Sequence, residues 1–143
     1  MNLQPLLAPL AEIVRNAGAA ILNVYEHADF EIKKKQDNSP LTAADLAAHH
    51  IIVDGLTALD PGLPVLSEES ISVPWATRKG WSRYWLVDPL DGTKEFIKRN
   101  GEFTVNVALI DNGVPVLGIV YVPVLDWLYA GILGEGAWKE VQG

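Results

Sequence analysis

The sequence predicts an α+β domain in which two amino-terminal helices pack on an antiparallel meander sheet. Three features point to it. Apolar residues recur at intervals of three and four up to Val24; a second helical stretch follows a cluster of turn formers; and beyond Asp60-Pro61-Gly62 the chain changes to short apolar runs broken by turns. At 143 residues it has the length of one domain.

Within residues 3–25, Leu3, Leu6, Leu7, Leu10, Ile13, Val14, Ala17, Ile21 and Val24 form one apolar stripe along a helix. Pro5 and Pro9 place the start of its regular part near Pro9, because proline is tolerated in a first turn. Gln36-Asp37-Asn38-Ser39-Pro40 separates it from the next helix. Thr42 reads as the cap of that second helix, with acidic Asp45 three places on and Leu46, Ile51, Ile52 and Leu56 behind, and the helix runs to Leu59. Strands are expected at 64–66, 84–87, 103–110, 114–122 and 127–133, with a short last candidate at 137–141. Asp111-Asn112-Gly113 marks a hairpin, since Asn-Gly tolerates the positive φ angles of a tight turn. Pro123 to Asp126 and Gly134-Glu135-Gly136 mark the next two turns. The chain stops just after the last candidate strand, so the far face of the sheet is expected to lack a cover.

Composition removes whole classes of function. With no Cys, a disulfide scaffold, a zinc–thiolate site and a thiol nucleophile are excluded, and the three His show no metal-site spacing, so any metal must be held by oxygen. A net charge of −7 argues against a nucleic acid polymer as partner. Charge-free segments fall short of the roughly 20 apolar residues of a membrane span, and the amino terminus has no basic region of a secretory signal. A cytoplasmic, soluble chain is expected, with peripheral association at the inner membrane left open. Lys33-Lys34-Lys35 and Lys94, Lys98 and Arg99 hold six of eleven basic residues. They read either as solvated patches or as a grip on a small phosphorylated ligand.

The chemistry concentrates in Asp88-Pro89-Leu90-Asp91-Gly92-Thr93. An apolar strand delivers Asp88 at its end, proline sets the backbone direction, and glycine permits a sharp turn into a helix candidate from Thr93 to Arg99. Two carboxylates and the Leu90 carbonyl could then converge as oxygen ligands for a hard cation such as Mg²⁺, beside a helix terminus that favours phosphate. Asp and Gly are equally at home in ordinary turns, so spacing alone leaves both readings standing. Glu68-Glu69 ends another strand, and alternation lets at most one of the pair face a shared site. Asp45 reads first as the partner of the Thr42 cap, which a supporting catalytic role does not exclude. His49 and His50 read as plain helix residues.

Asp88-Pro89-Leu90-Asp91-Gly92-Thr93, preceded by a strand ending in Glu68-Glu69, resembles the signature of the inositol monophosphatase superfamily of Mg²⁺-dependent, Li⁺-sensitive phosphatases. The continuation from Lys94-Glu95-Phe96 to Asn106, together with Asp37 to Asp45, resembles its bacterial 3'(2'),5'-bisphosphate nucleotidase branch. The resemblance runs from about Ile13 to the last residue. It implies the first half of the superfamily's αβαβα sandwich, so that residues 1–143 are the amino-terminal, metal-binding part of a phosphatase domain. By position it further implies Glu68, Asp88, the Leu90 carbonyl and Asp91 as Mg²⁺ ligands, and Asp45 with Thr93 as the groups that orient and help deprotonate the attacking water. Gly92 and Thr93 amides would hold the phosphate, and Lys35 would lie near the metal cluster. The implied substrate is a nucleotide bisphosphate, 3'-phosphoadenosine 5'-phosphate, cleared as a by-product of sulfate assimilation; an inositol or sugar phosphatase, or a non-catalytic metal- and phosphate-binding fragment, are the alternatives. Superfamily members continue into a second half with a Trp-Asp-x-Ala motif whose aspartate completes the cluster. No Trp precedes Asp in this sequence. The chain therefore reads as truncated, with weak or no activity expected in isolation.

Overall fold

The computed structural model describes residues 3–27, 40–67, 80–92 and 102–141. A 3-10 turn at Gln4–Leu6 leads into helix α1, Leu7–His27, so the helix begins two residues before Pro9, whose missing N–H falls among first-turn groups that have no helical partner. Helix α2 spans Pro40–Leu59. This corrects the expected cap. Proline occupies the first helical position, where its fixed φ suits the turn, so Thr42 lies inside the helix and Asp45 falls in the second turn instead of closing a capping box.

Six strands follow among the described residues: β1 Val65–Ser67, β2 Arg83–Asp91, β3 Thr104–Asp111, β4 Val114–Val122, β5 Trp127–Ile132 and β6 Gly136–Val141. They form one sheet in chain order, and β2 to β6 are the predicted antiparallel meander. The β3–β4 hairpin closes on Asp111 opposite Val114, with Asn112 at φ 52° and Gly113 at φ 80°, the paired positive angles of a two-residue turn. β1 adds to the meander differently. It pairs with β2 in parallel, Val65 beside Trp85 and Ser67 beside Val87, making the sheet mixed.

Both helices cover one face. α1 packs on β3 and β4, α2 on β1 and β2, and the helices on each other. Leu10, Val14, Ala17 and Ile21 of α1 and Ala44, Ala48, Ile52 and Leu56 of α2 are all wholly buried against Trp85, Val87, Val105, Val107, Leu117 and Ile119. The 23 residues Gln4–Glu26 are long and apolar enough to cross a membrane by length and composition. Here their stripe is spent on the core.

Two glycines set how closely the layers approach. A Cβ on Gly18 would stand 2.5 Å from Cε2 of Tyr121 on β4, and one on Gly55 would stand 2.7 Å from Cγ1 of Ile13 across the helix pair. Side chains at either position would push the layers apart.

Candidate metal and phosphate site

Strand β2 continues through Asp91, three residues beyond the expected end at Asp88. What permits this is a bulge. Asp88 pairs with Asn106 and Asp91 with Thr104, so Pro89 and Leu90 together stand opposite Val105 alone. In a regular strand, residues three apart point to opposite faces. The extra residue restores the phase: Thr104 and Asn106, two apart on β3, share a face, and their partners Asp88 and Asp91 share it with them.

That face is the one turned away from the helices. Trp85 and Val87 point into the core, while Leu86 is exposed, Asp88 half-buried and Asp91 exposed. Pro89 and Leu90, the bulged residues, are both buried. Gly92 then takes φ 91°, a left-handed conformation that a side chain would strain. The pair of carboxylates therefore ends a strand whose last turn of direction depends on glycine.

Asn106 holds Asp91 in place. Its Nδ2 donates to Asp91 Oδ2 at 3.0 Å, across the ladder from where it stands beside Asp88. Its Oδ1 is buried and has no hydrogen-bond partner among the described residues. A buried amide oxygen left open costs free energy unless something polar meets it. Leu86, Asp88, Asn106, Ala108, Gly118 and Val120 border a hollow of about 380 Å³ on this face. Asp88 and Asn106 are the side chains among these that bring oxygen to it, the donor type a hard cation takes.

Parallel pairing brings a second strand end to the same place. The last rung of the β1–β2 ladder is Ser67 beside Val87, and the next residues along the two chains are Glu68 and Asp88. A meander would have pointed β1 the other way. Helix α2 returns to this end too, since His49 Nδ1 and Ser67 Oγ lie 2.9 Å apart, and half-buried Asp45 sits one helical turn from His49 toward the amino terminus.

Of the expected site residues, the structure thus gathers Asp88, Leu90, Asp91 and Gly92 into one bulged strand end, with Asp45 on the helix that abuts its neighbour. Glu68, Thr93 and Lys35 lie outside the described residues, as do the helix candidate Thr93 to Arg99 and both basic clusters. Among the described residues no three His, Asp or Glu side chains form a group able to hold a metal. Asn106, bonded to Asp91, and His49, read from the sequence as a plain helix residue and here bonded to Ser67, were not among the expected site residues. Neither carried a spacing signal, because each acts through a partner distant in sequence.

The sequence profile of the inositol monophosphatase family matches residues 2–142. This chain belongs to that family. It is 58% identical over 139 residues to the 3'(2'),5'-bisphosphate nucleotidase CysQ of Escherichia coli O157:H7, covering 96% of this chain and 56% of that protein. A CysQ from Buchnera aphidicola is 46% identical over 136 residues. Among solved structures, the family member CysQ from Bacteroides thetaiotaomicron superposes with a TM-score of 0.86 at 51% identity, over 98% of this chain and 51% of that one. The extragenic suppressor protein suhB from Bartonella henselae gives a TM-score of 0.78 at 27% identity. The chain spans about half the length of the curated relatives it matches.

Proposed function

We propose that this chain carries the metal-binding part of a Mg²⁺-dependent phosphomonoesterase that removes the 3'-phosphate of 3'-phosphoadenosine 5'-phosphate. The observation that carries the proposal is the bulge that turns Asp88 and Asp91 to one face beside the carboxyl end of β1. The high identity to CysQ nucleotidases supports the choice of a nucleotide substrate.

In this proposal Asp88, Asp91, Glu68 and the Leu90 carbonyl hold magnesium. When bound, the ion supplies positive charge that acidifies water and stabilises the leaving oxygen. Asp91 is kept in position by Asn106, so its carboxylate is oriented before a cation arrives. Asp45 and Thr93 orient the attacking water and take up its proton. The Gly92 and Thr93 amides hold the phosphate oxygens, with Lys35 nearby adding charge. Water adds to phosphorus, the bond to the ribose 3'-oxygen breaks, and that oxygen leaves protonated, giving AMP and inorganic phosphate.

A second substrate class has its own support. Structural likeness extends to a Staphylococcus aureus protein titled inositol monophosphatase-II at a TM-score of 0.76 and 27% identity, so an inositol monophosphate is the competitor. Because the chain covers about half of its relatives, binding without turnover is the remaining alternative.

Phosphate release from the adenosine bisphosphate and from inositol monophosphate, with Mg²⁺ and with Li⁺ added, separates these readings. It is to be run on the 143-residue chain and on a form extended to the relatives' length. Turnover of the nucleotide by the extended form, lost in Asp88→Asn or Asp91→Asn, is expected. Full activity in either variant refutes the assignment.

A further inference from the structure

Half-buried His49 projects from α2 at the position one turn beyond Asp45, so the two side chains share a helix face. Its Nδ1 lies 2.9 Å from the hydroxyl of Ser67, in a bond that either group can donate according to the imidazole tautomer. Ser67 is 1% exposed and is the last residue of β1. It stands beside Val87, and the next residues in sequence are Glu68 and Asp88. The bond therefore fastens the helix that carries Asp45 to the end of β1, beside Val87 and one residue short of Asp88 on β2.

We infer that His49 is a positioning residue of the metal site, acting through Ser67 to fix the end of β1 against α2. This rests on the metal reading proposed above. The bond gives the buried Ser67 hydroxyl a partner that no apolar side chain could supply, and that hydroxyl directly precedes an expected ligand in sequence. His50, the next residue, is exposed, with its ring 5.4 Å from that of His49, and has no comparable hold on a strand among the described residues.

The test is an amide NMR titration of the 143-residue chain with magnesium chloride, comparing the unsubstituted protein with His49→Ala, Ser67→Ala, both together, His49→Asn and Asp88→Asn. Loss of a group that orients a metal ligand typically weakens metal binding about 10- to 100-fold. Each alanine variant should bind magnesium about 10-fold more weakly, and the double variant no more weakly than either single one, because they delete the same bond. His49→Asn, whose amide sits where Nδ1 sat, should recover most of the affinity. A structural role alone would lower the melting temperature and leave the magnesium affinity of the folded protein unchanged. If His49→Ala does not fold, Ser67→Ala decides, since it removes one oxygen: unchanged affinity overturns the inference. Magnesium shifts that vanish in Asp88→Asn but persist at full affinity in both alanine variants overturn the inference alone. No magnesium shifts in the unsubstituted chain defeat the metal reading and this inference with it.

Discussion

The two faces of the sheet differ in kind. On the face under α1 and α2, Trp85, Val87, Val105, Val107, Leu117 and Ile119 close a dry core against the helices. On the other face the same strands show exposed Leu86 beside Asp88, Asn106, Ala108 and Gly118 around an open hollow. Cohesion comes from the first face, and the proposed chemistry from the second. The difference teaches that the site owes its geometry to one inserted residue, since the bulge alone moves Asp91 from the phase of the core to that of Asp88.

Each of the following expectations breaks or sharpens that contrast. Deleting Leu90 removes the bulge and leaves Asp91 two residues after Asp88 on the same open face, but it takes away a buried side chain, at a cost of about 2–5 kcal/mol, and the carbonyl proposed as a ligand. Urea denaturation should show that loss, or no cooperative transition at all, and magnesium binding should disappear with it. Gly18→Ala strikes only the covered face. It should cost about 1–3 kcal/mol by pushing on the Tyr121 ring, while magnesium affinity of the folded protein stays as it was. A changed affinity would show that the faces are coupled.

Asn106→Ala strikes only the open face. It should weaken magnesium binding about 10-fold, equivalent to about 1.4 kcal/mol, because Asp91 loses the amide that holds it. Stability in the absence of metal should fall little, and a large fall would mean that Asn106 belongs to the core after all. The smallest effect is expected at Tyr121→Phe, which deletes the 2.8 Å hydrogen bond to Asp126 and should cost about 1 kcal/mol at neutral pH. Burial, with help from that bond, pushes the Tyr121 hydroxyl up to about 12 from 10. The protonated ring is thus the form favoured by folding. Its contribution is whole below about pH 10 and is lost as pH climbs toward 12, so the alkaline arm of a stability–pH curve should flatten in the Phe variant.

The parts of the fold set by neighbours in sequence were legible in it. The α1 stripe, the Asn112-Gly113 hairpin and the alternating strands follow local rules, and the structure obeys them. What was hidden depends on pairing. Nothing in Val65-Leu66-Ser67 says that its neighbour is β2 or that the two run parallel. Asp88 and Asp91 were recognisable as a motif, yet three-residue spacing in a strand argues for opposite faces, and only the register with β3 reverses that. Local chemistry also misled once. Thr42 followed by Asp45 is a sound cap signal, but Pro40 starts the helix first. Asn106 and His49 became visible through Asp91 and Ser67, which no linear pattern connects to them.

Parallel pairing between β1 and β2 also fixes when the site can exist. The hairpins from β3 to β6 close over two to four residues each, and such contacts form early because they trap little chain entropy. The β1–β2 ladder must instead close the segment between Ser67 and Arg83, a crossover in place of a tight turn. Residues 92–103 between β2 and β3 close a loop nearly as long, so both pairings around Asp88 form later than the hairpins. A cation that needs both strand ends would meet them only after the folding transition state, so magnesium should slow unfolding and leave the refolding rate nearly untouched.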